Sequence, residues 1–173
     1  MNIALIGFMG TGKTTVAKLL AERLDYRLVD IDEEIVKVEG RSIPEIFAEE
    51  GEEYFRDVES KVTLNISQGD KQVISTGGGV VLREENIDNL KSNGVVVLLK
   101  ATAETIFERV KDEGGRPLLE VADPLAKIKS MLVEREDKYD CTEYQINTDQ
   151  LSAEEVVEQI EKIMDNGQCT INN

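Results

Sequence analysis

The chain has 173 residues, of which 40% are hydrophobic and 32% charged, a balance that predicts one globular domain rather than a disordered chain. The 35 acidic residues outnumber the 20 basic ones and give a net charge of −15. Proteins that bind nucleic acid nonspecifically need a basic face, so this charge argues against that class. It also repels anionic ligands such as ATP, so a site for them must gather its cations locally.

No apolar run approaches the ~20 residues of a membrane span, and the N-terminus lacks the basic region and cleavage site of a secretory signal. Cys141 and Cys169 lie too far apart to form a metal-binding pattern. We therefore expect a cytoplasmic protein with reduced thiols and no membrane partner.

The first strong pattern is a phosphate-binding loop, Gly7-Phe8-Met9-Gly10-Thr11-Gly12-Lys13-Thr14. An apolar run from Ile3 to Ile6 predicts a buried strand before it, and residues 15–24 have the spacing of an amphipathic helix. In this context backbone N–H groups form an anion socket at the helix N-terminus. Lys13 can then reach the β- and γ-phosphates of a nucleotide, and the Thr14 hydroxyl can hold Mg²⁺.

A second strand is predicted from Arg27 to Ile31, and it ends in two acidic residues, Asp30 and Asp32. Alternation along a strand would put both carboxylates on one side, at the edge of the sheet where ligands of parallel α/β proteins bind. Such a pair suits Mg²⁺ and a substrate hydroxyl. The alternative is a solvated strand end with Asp32 as the N-cap of the next helix.

Helices are predicted next from about Glu33 to Glu39, from the capping box Ser42-Ile43-Pro44-Glu45 to Gly51, and from Glu52 to Ser67. The last of these carries Arg56, with Glu59 three residues later. This pair is either a surface ion pair of little energetic value or an arginine that an acid holds and aims at an anion.

Residues from Gln72 to Thr76 predict a third strand, which Gly77-Gly78-Gly79 follows. A turn requires one or two glycines, whereas three would let a ligand approach bare backbone N–H groups. A flexible turn is the alternative.

The alternation continues with a helix over 84–92, a buried strand over 95–99 and a helix from Ala103 to about Lys111 that Thr102 caps. The stretch from Asp112 to Leu119 contains Gly114-Gly115-Arg116-Pro117. It is typical of a lid that closes over phosphates, although an ordinary loop would look the same.

One helix is predicted from Pro124 to Tyr139, with Arg135 near its end, followed by a last strand from Tyr144 to Asn147 and a final helix that Ser152 caps. Strands that alternate with helices predict a three-layer α/β sandwich with a mostly parallel sheet. We expect a single domain over 1–165 and a flexible tail over 166–173.

Taken together, these motifs resemble the shikimate kinase family over nearly the whole chain, to about Met164. A phosphate loop is shared by many kinases, but the combination of Phe-Arg-x-x-Glu, triple glycine and Arg-Pro-Leu-Leu in this order is far more specific. The matching segments are Gly7 to Thr14, Asp30-Ile31-Asp32, Ser42 to Phe47, Gly51 to Arg56 with Glu59, Gly77-Gly78-Gly79, Arg116-Pro117-Leu118-Leu119, and Arg135 with Tyr139. The chain departs from the family at 136–141, which is more charged than the usual Pro-Leu-Tyr-like run.

The resemblance implies a fold of the nucleoside-monophosphate-kinase type, with a five-stranded parallel sheet, substrate-binding helices over about 33–62 and a lid over about 112–123. It implies an ATP- and Mg²⁺-dependent kinase that phosphorylates the 3-hydroxyl of shikimate, a step toward chorismate and the aromatic amino acids. We expect this kinase to be a monomer without nucleic-acid or membrane partners.

The resemblance also implies roles for individual residues, with Asp32, Lys13 and Arg116 as the catalytic group. The implied ATP-binding residues are Gly10, Thr11, Gly12, Lys13, Thr14, Thr15, Arg109, Arg116 and Pro117. The implied shikimate-binding residues are Asp32, Phe47, Phe55, Arg56, Glu59, Gly77, Gly78, Gly79 and Arg135. Thr14 and Asp30 would order the Mg²⁺ shell.

Two rival interpretations remain open. The first is a kinase of the same fold that acts on a neutral acceptor, which would not explain two arginines and three glycines at one pocket. The second is a nucleotide-binding regulatory module without transfer activity, which would not need Asp32 and Arg116 in working positions.

Overall fold

The computed structural model describes residues 1–111 and 121–168. The strands are β1 (Asn2–Ile6), β2 (Arg27–Asp30), β3 (Gln72–Ser75), β4 (Gly94–Lys100) and β5 (Gln145–Asn147). The helices are α1 (Lys13–Leu24), α2 (Ile31–Glu39), α3 (Ile43–Glu49), α4 (Gly51–Ser67), α5 (Glu84–Ser92), α6 (Ala103–Val110), α7 (Pro124–Glu134), α8 (Glu136–Tyr139) and α9 (Ala153–Gln168), with a 3₁₀ turn at Val80–Leu82. Within these ranges no helix is both long and apolar enough to cross a bilayer.

The five strands form one parallel sheet in the order β2-β3-β1-β4-β5. The chain adds β2 and β3 on one side of β1 and then crosses to add β4 and β5 on the other. In an open parallel sheet, ligands bind beyond the carboxyl ends of the strands where the order reverses. The phosphate loop follows β1 and the triple glycine follows β3, so both segments begin at that position.

Each face of the sheet carries its own apolar core, which confirms the predicted three-layer sandwich. Alternate residues of β1 point to opposite faces, with Ala4 and Ile6 in one core and Ile3 and Leu5 in the other. The first core is closed mainly by helices α2 to α7, and the second by α1 and α9. Burial on both faces explains why β1 reads as a continuous apolar run.

The predicted geometry of the two acidic residues after β2 is wrong. The strand ends at Asp30, and α2 begins at Ile31, so strand alternation does not relate Asp30 to Asp32. The N-cap is Asp30 rather than Asp32, because Asp30 Oδ1 accepts hydrogen bonds from the backbone N–H groups of Asp32 (3.0 Å) and Glu33 (3.3 Å). The first turn of a helix leaves its N–H groups without intrahelical acceptors, and the aspartate directly before that turn supplies one.

The single helix predicted from Pro124 to Tyr139 is also wrong, because it breaks at Arg135. That residue has φ −109° and ψ 2°, and it separates α7 from the one-turn helix α8. Smaller shifts occur elsewhere. Gly51 begins α4 with φ 85° instead of ending α3, and α9 continues past Asp165 to Gln168.

Candidate active site

The phosphate loop turns from β1 into α1 with the backbone geometry that its glycines permit. Gly12 is the N-cap of α1 and has φ 94°, a left-handed conformation that side-chain-bearing residues rarely adopt. The side chain of Thr11 turns inward instead of toward a ligand, and its Oγ1 donates to the carbonyl oxygen of Phe8 at 2.8 Å. Thr11 therefore stabilises the loop from behind.

Lys13 is nearly buried and lies across the same loop. Its Nζ donates to the carbonyl oxygens of Gly7 at 2.8 Å and Phe8 at 2.9 Å. The ammonium group is thus held by the backbone of the loop that is predicted to bind phosphate.

A cavity of about 590 Å³ opens in front of the loop. Four parts of the chain converge there, namely the phosphate loop, the start of α2, the end of β3 and α6. The lining residues are Met9, Gly10, Gly12, Lys13, Thr14, Thr15, Asp30, Asp32, Ser75, Thr76, Gly77, Gly78 and Arg109. Most of the residues predicted to bind nucleotide are therefore brought together with Asp32.

Asp32 is electrostatically perturbed in this cavity. Burial, reinforced by the charges of Asp30 and Glu59, raises its pKa from 3.8 to about 6, while Lys13 and Arg56 act in the opposite direction. A carboxyl group with this pKa is ionised at neutral pH yet remains basic enough to accept a proton. Perturbed carboxylates of this kind are typical of functional sites.

Arg56 and Glu59 form a largely buried ion pair, which excludes the surface-pair interpretation. Arg56 Nη1 lies 2.7 Å from Glu59 Oε2, and the two side chains are only 13% and 1% exposed. Arg56 also lies over the ring of Phe55, 5.0 Å from its centre, and that ring stacks on Phe47 at 4.7 Å. The predicted aromatic wall and arginine are thus one packed unit.

The other terminal nitrogen of Arg56, Nη2, does not contact Glu59 and pairs with a second acid. Glu52 Oε1 lies 3.1 Å away, and its side chain is 62% exposed, so this contact faces solvent. Sequence analysis did not single out Glu52, although it precedes Arg56 by four residues, a spacing that puts two helical side chains on one face.

Arg135 contacts the triple glycine at Gly78. Its Nη1 donates to the carbonyl oxygen of Gly78 at 3.1 Å, and its guanidinium lies 5.7 Å from the centre of the Phe8 ring. The phenol of Tyr139 donates to the same carbonyl at 2.7 Å. The break between α7 and α8 therefore places two side chains on one backbone oxygen.

Each of the three glycines approaches a different part of the site. A Cβ on Gly77 would lie 2.9 Å from Asp32 Oδ1 and 3.2 Å from Glu59 Oε1. A Cβ on Gly78 would lie 3.3 Å from the Met9 backbone nitrogen, and one on Gly79 would lie 2.5 Å from both Arg56 terminal nitrogens. A side chain at Gly77 or Gly79 would therefore have to displace the Asp32, Glu59 or Arg56 side chain, and this close packing argues against the flexible-turn interpretation.

Arg109 is anchored by a residue that sequence analysis missed. Its guanidinium donates to Gly10 O at 3.3 Å and to Thr148 O at 2.7 Å and Oγ1 at 3.0 Å. The Thr148 hydroxyl has one proton and two acceptors within reach, Lys100 O at 3.1 Å and Thr11 O at 3.3 Å, so it links α6 to the end of β4 and to the phosphate loop. Thr148 directly follows β5, and its position at a strand's carboxyl end is the signal that could have identified it.

The oxygen atoms available for a metal suit Mg²⁺ that arrives with phosphates. The Thr14 hydroxyl and the Asp30 carboxylate line the same cavity, and one Asp30 oxygen already caps α2. Over 1–111 and 121–168 no cluster of three or more metal-binding side chains occurs. Mg²⁺ commonly uses one or two protein oxygens and completes its shell with water and substrate phosphates, so this sparse donor set fits it.

Two predicted residues, Arg116 and Pro117, lie outside the described residues, as do residues 112–120 of the lid predicted over about 112–123. The rest of the predicted nucleotide site and the predicted carboxylate site adjoin one another through Gly77 and Gly78, which border both.

Comparison with known proteins gives a consistent result. The shikimate kinase family model matches residues 9–165. The chain is 49% identical to the shikimate kinase of Thermodesulfovibrio yellowstonii over 161 residues, which cover 93% of both chains. It is 48% identical to the shikimate kinase of Caldicellulosiruptor bescii over 159 residues, covering 92% of each.

Solved structures agree with the sequence relatives. The shikimate kinase of Acinetobacter baumannii in complex with shikimate superimposes with a TM-score of 0.91 at 35% identity, over 99% of this chain and 95% of the other. The shikimate kinase of Aquifex aeolicus superimposes with a TM-score of 0.84 at 40% identity, over 97% and 98% of the two chains.

Proposed function

This chain belongs to the shikimate kinase family, and from that premise we propose how its residues divide the work of phosphoryl transfer. The enzyme is an ATP-dependent kinase that transfers the γ-phosphoryl group of ATP to the 3-hydroxyl of shikimate. The products are shikimate 3-phosphate and ADP, and the step belongs to the biosynthesis of aromatic amino acids.

The observation that carries the residue assignment is the placement of two arginines around the Gly78–Gly79 peptide. Arg56 lies against Gly79, and Arg135 is bonded to the carbonyl of Gly78. A carboxylate favours the planar, forked donors of guanidinium groups, and two of them fix its orientation as well as its charge. We assign this position to the shikimate carboxylate, with the backbone of Gly77, Gly78 and Gly79 beside it.

Phe47, Phe55 and Glu59 complete that subsite. The stacked rings form an apolar wall on which Arg56 lies, while Glu59 holds the guanidinium at 2.7 Å from the side away from the ligand. Shikimate carries an apolar ring face as well as a carboxylate, so a wall of this kind suits it.

Asp32 is assigned to the hydroxyl groups of shikimate. It lines the cavity in front of the phosphate loop, and its pKa of about 6 allows it to accept a hydrogen bond from the attacking hydroxyl and to take up the proton that leaves it. Phosphoryl transfer depends mainly on positioning and charge neutralisation, so orienting the hydroxyl is as important as removing its proton.

The phosphates are assigned to the loop from Gly10 to Thr15. Lys13 exchanges its bonds to the Gly7 and Phe8 carbonyls for the β- and γ-phosphates, and Arg116 approaches from the lid. Thr14 and Asp30 would hold Mg²⁺, which neutralises charge on the β- and γ-phosphates when bound. Arg109 and Pro117 are assigned to the adenine side of the nucleotide.

We further propose that residues 1–165 act as one domain, that the segment over 112–123 is a lid, and that the enzyme works as a cytoplasmic monomer without nucleic-acid or membrane partners. The charge of −15 supports the absence of nucleic acid, since nonspecific binding needs a basic face.

The test is a coupled ADP-release assay with Mg-ATP that compares shikimate, quinate, gluconate and no acceptor. We expect turnover with shikimate alone. Turnover with gluconate would favour the first rival interpretation, a kinase of the same fold that acts on another acceptor. ATP binding without acceptor-dependent turnover would favour the second, a regulatory module.

The same assay tests the carboxylate subsite. Arg56→Ala should raise the KM for shikimate strongly, because a bound carboxylate loses its charged partner, while the KM for ATP stays near the wild-type value. Arg23→Ala is the matched control, since Arg23 pairs with Glu161 on the opposite side of the sheet. An unchanged KM for shikimate in Arg56→Ala would remove Arg56 from the carboxylate site.

A further inference from the structure

The phenol of Tyr139 is hydrogen-bonded to the backbone of the triple glycine. Its hydroxyl donates to the carbonyl oxygen of Gly78 at 2.7 Å, and the side chain is buried, with 8% of the residue exposed. Arg135 Nη1 donates to the same oxygen at 3.1 Å. The roles assigned above use Arg135 but give Tyr139 no part.

The Gly78 carbonyl belongs to the peptide unit that joins Gly78 to Gly79. Such a unit is planar and trans, so its C=O and N–H point in opposite directions and rotate together. A donor that holds the carbonyl of Gly78 therefore also sets the direction of the Gly79 N–H. Glycine has the widest backbone freedom of any residue, so a unit between two glycines needs such an external constraint.

This peptide unit lies between three functional groups. Gly78 packs against the phosphate loop, where the Met9 backbone nitrogen lies 3.3 Å from its missing Cβ position. Gly79 packs against the guanidinium of Arg56. A rotation of the unit would displace Arg56 at one end and Arg135 at the other, and it would alter the spacing between the two arginines.

We propose that Tyr139 is a positioning residue for the acceptor substrate, which acts through the Gly78 carbonyl to set the Gly78–Gly79 peptide and the two arginines around it. This inference rests on the proposed function, because it assumes that the carboxylate of shikimate binds at this peptide. We assign Tyr139 no direct contact with either substrate.

The helix break at Arg135 supports this role. Helix α8 is a single turn, with the backbone N–H of Tyr139 donating to the Arg135 carbonyl at 3.0 Å. Its two ends thus hold the two side chains that meet on Gly78 O. Arg135 and Tyr139 are four residues apart across this turn, so both side chains lie on one face of it. The break before the turn lets that face meet Gly78 O.

The phenol stays a donor throughout the working range of pH. Burial raises the pKa of Tyr139 to about 12, against the opposing charge of Arg135. The phenol can therefore donate to Gly78 at neutral pH, where Asp32 is ionised.

The test is Tyr139→Phe in the full chain, with steady-state kinetics for both substrates. Loss of one neutral hydrogen bond should raise the KM for shikimate about three- to tenfold, with kcat and the KM for ATP within about twofold of wild type. The fold should persist, because Arg135 still satisfies the Gly78 carbonyl. Tyr144→Phe is the matched control, since Tyr144 packs in the core on the other face of the sheet.

The outcomes separate the alternatives. An unchanged KM for shikimate in Tyr139→Phe overturns the inference. So does a parallel rise of both KM values with a lower Tm, which indicates only a packing role. If Arg56→Ala raises the KM for shikimate but Tyr139→Phe does not, this inference fails while the proposed function stands. If neither variant has an effect, the carboxylate assignment fails first.

Discussion

The Cβ that Gly79 lacks would lie 2.5 Å from both terminal nitrogens of Arg56. Real Cβ atoms are not found so close to other heavy atoms, so any side chain at position 79 must displace the guanidinium. The position of the arginine and the absence of a side chain on the glycine are therefore one structural feature, although 23 residues separate them in the sequence.

Gly79→Ala should weaken shikimate binding without damaging the nucleotide site. The new methyl group forces Arg56 away from Glu59 and the Phe55 ring, and a misplaced substrate-binding group commonly costs about ten- to hundredfold. We expect that increase in the KM for shikimate, measured by coupled ADP release, and an unchanged KM for ATP. Gly69→Ala is the control, since its Cβ would displace the Gln72 side chain far from the site. A wild-type KM in Gly79→Ala would show that Arg56 does not need this position.

Asp32→Asn should lower kcat while ATP binds normally. The amide keeps the size of the side chain but cannot take up the hydroxyl proton, and loss of a positioned base commonly costs about 10²- to 10⁴-fold. We expect kcat to fall in that range and the Kd for Mg-ATP, measured by calorimetry, to stay within about twofold of wild type. Glu33→Gln, an exposed acid in the same helical turn, should retain full activity. Retained turnover in Asp32→Asn would favour the regulatory interpretation.

Activity should decrease as the pH falls through about 6. The pKa of Asp32 is raised to about 6, so the ionised form, to which we assign the acceptor hydroxyl, is lost below that value. We expect kcat/KM for shikimate to show an acidic limb with a midpoint near pH 6. Glu59→Gln removes one of the charges that raise this pKa, so the midpoint should move to lower pH. If the midpoint does not move in Glu59→Gln, a group other than Asp32 controls the acidic limb. Glu52→Gln is the control, and its midpoint should equal that of the wild type.

Asp32 should also reduce the stability of the folded enzyme at neutral pH. Its pKa is higher in the folded state than the ordinary 3.8, so the folded state binds the proton more tightly and loses stability as the pH rises from about 4 through 6. Asp32→Asn carries no such charge and should have a higher Tm than wild type at pH 8, measured by calorimetry. The difference should disappear below about pH 4, where the wild-type carboxyl is protonated in both states. A lower Tm at pH 8 would contradict this prediction.

Glu52→Gln should tighten shikimate binding. In the ligand-free enzyme Glu52 pairs with Arg56 Nη2, the nitrogen that Glu59 leaves available for a substrate carboxylate. Because exposed ion pairs are weak, we expect the KM for shikimate to fall only about two- to fivefold. Glu53→Gln changes the net charge equally on the next residue, and it should have a smaller effect. A rise in KM would instead indicate that Glu52 helps to hold Arg56 in place.

Local patterns accounted for the phosphate loop and most of the helix ends. The Ser42 capping box, the Thr102 cap and Gly40 at the end of α2 each depend on residues within a few positions of one another. The same reasoning failed after β2, where Asp30 and Asp32 fitted both a longer strand and a capped helix. Helix formation prevailed because Asp30 satisfies two N–H groups of α2.

The break at Arg135 could not be predicted in the same way. The helical spacing of Leu125, Ile128 and Leu132 gives no sign of it, and the Gly78 carbonyl that Arg135 and Tyr139 contact lies far away in the chain. Thr148 and its bonds to Arg109 and Thr11 escaped notice for the same reason.

Residues close together in the chain, or several motifs in a fixed order, were enough to predict the class of fold, the anion socket and the family. The three-dimensional arrangement was needed to show that Asp30 caps a helix, that Glu59 is buried against Arg56, and that the three glycines lie close to Asp32, the phosphate loop and Arg56. Those relationships depend on distances between segments that a chain brings together only when its sheet forms, and burial then sets the charges and pKa values that chemistry requires.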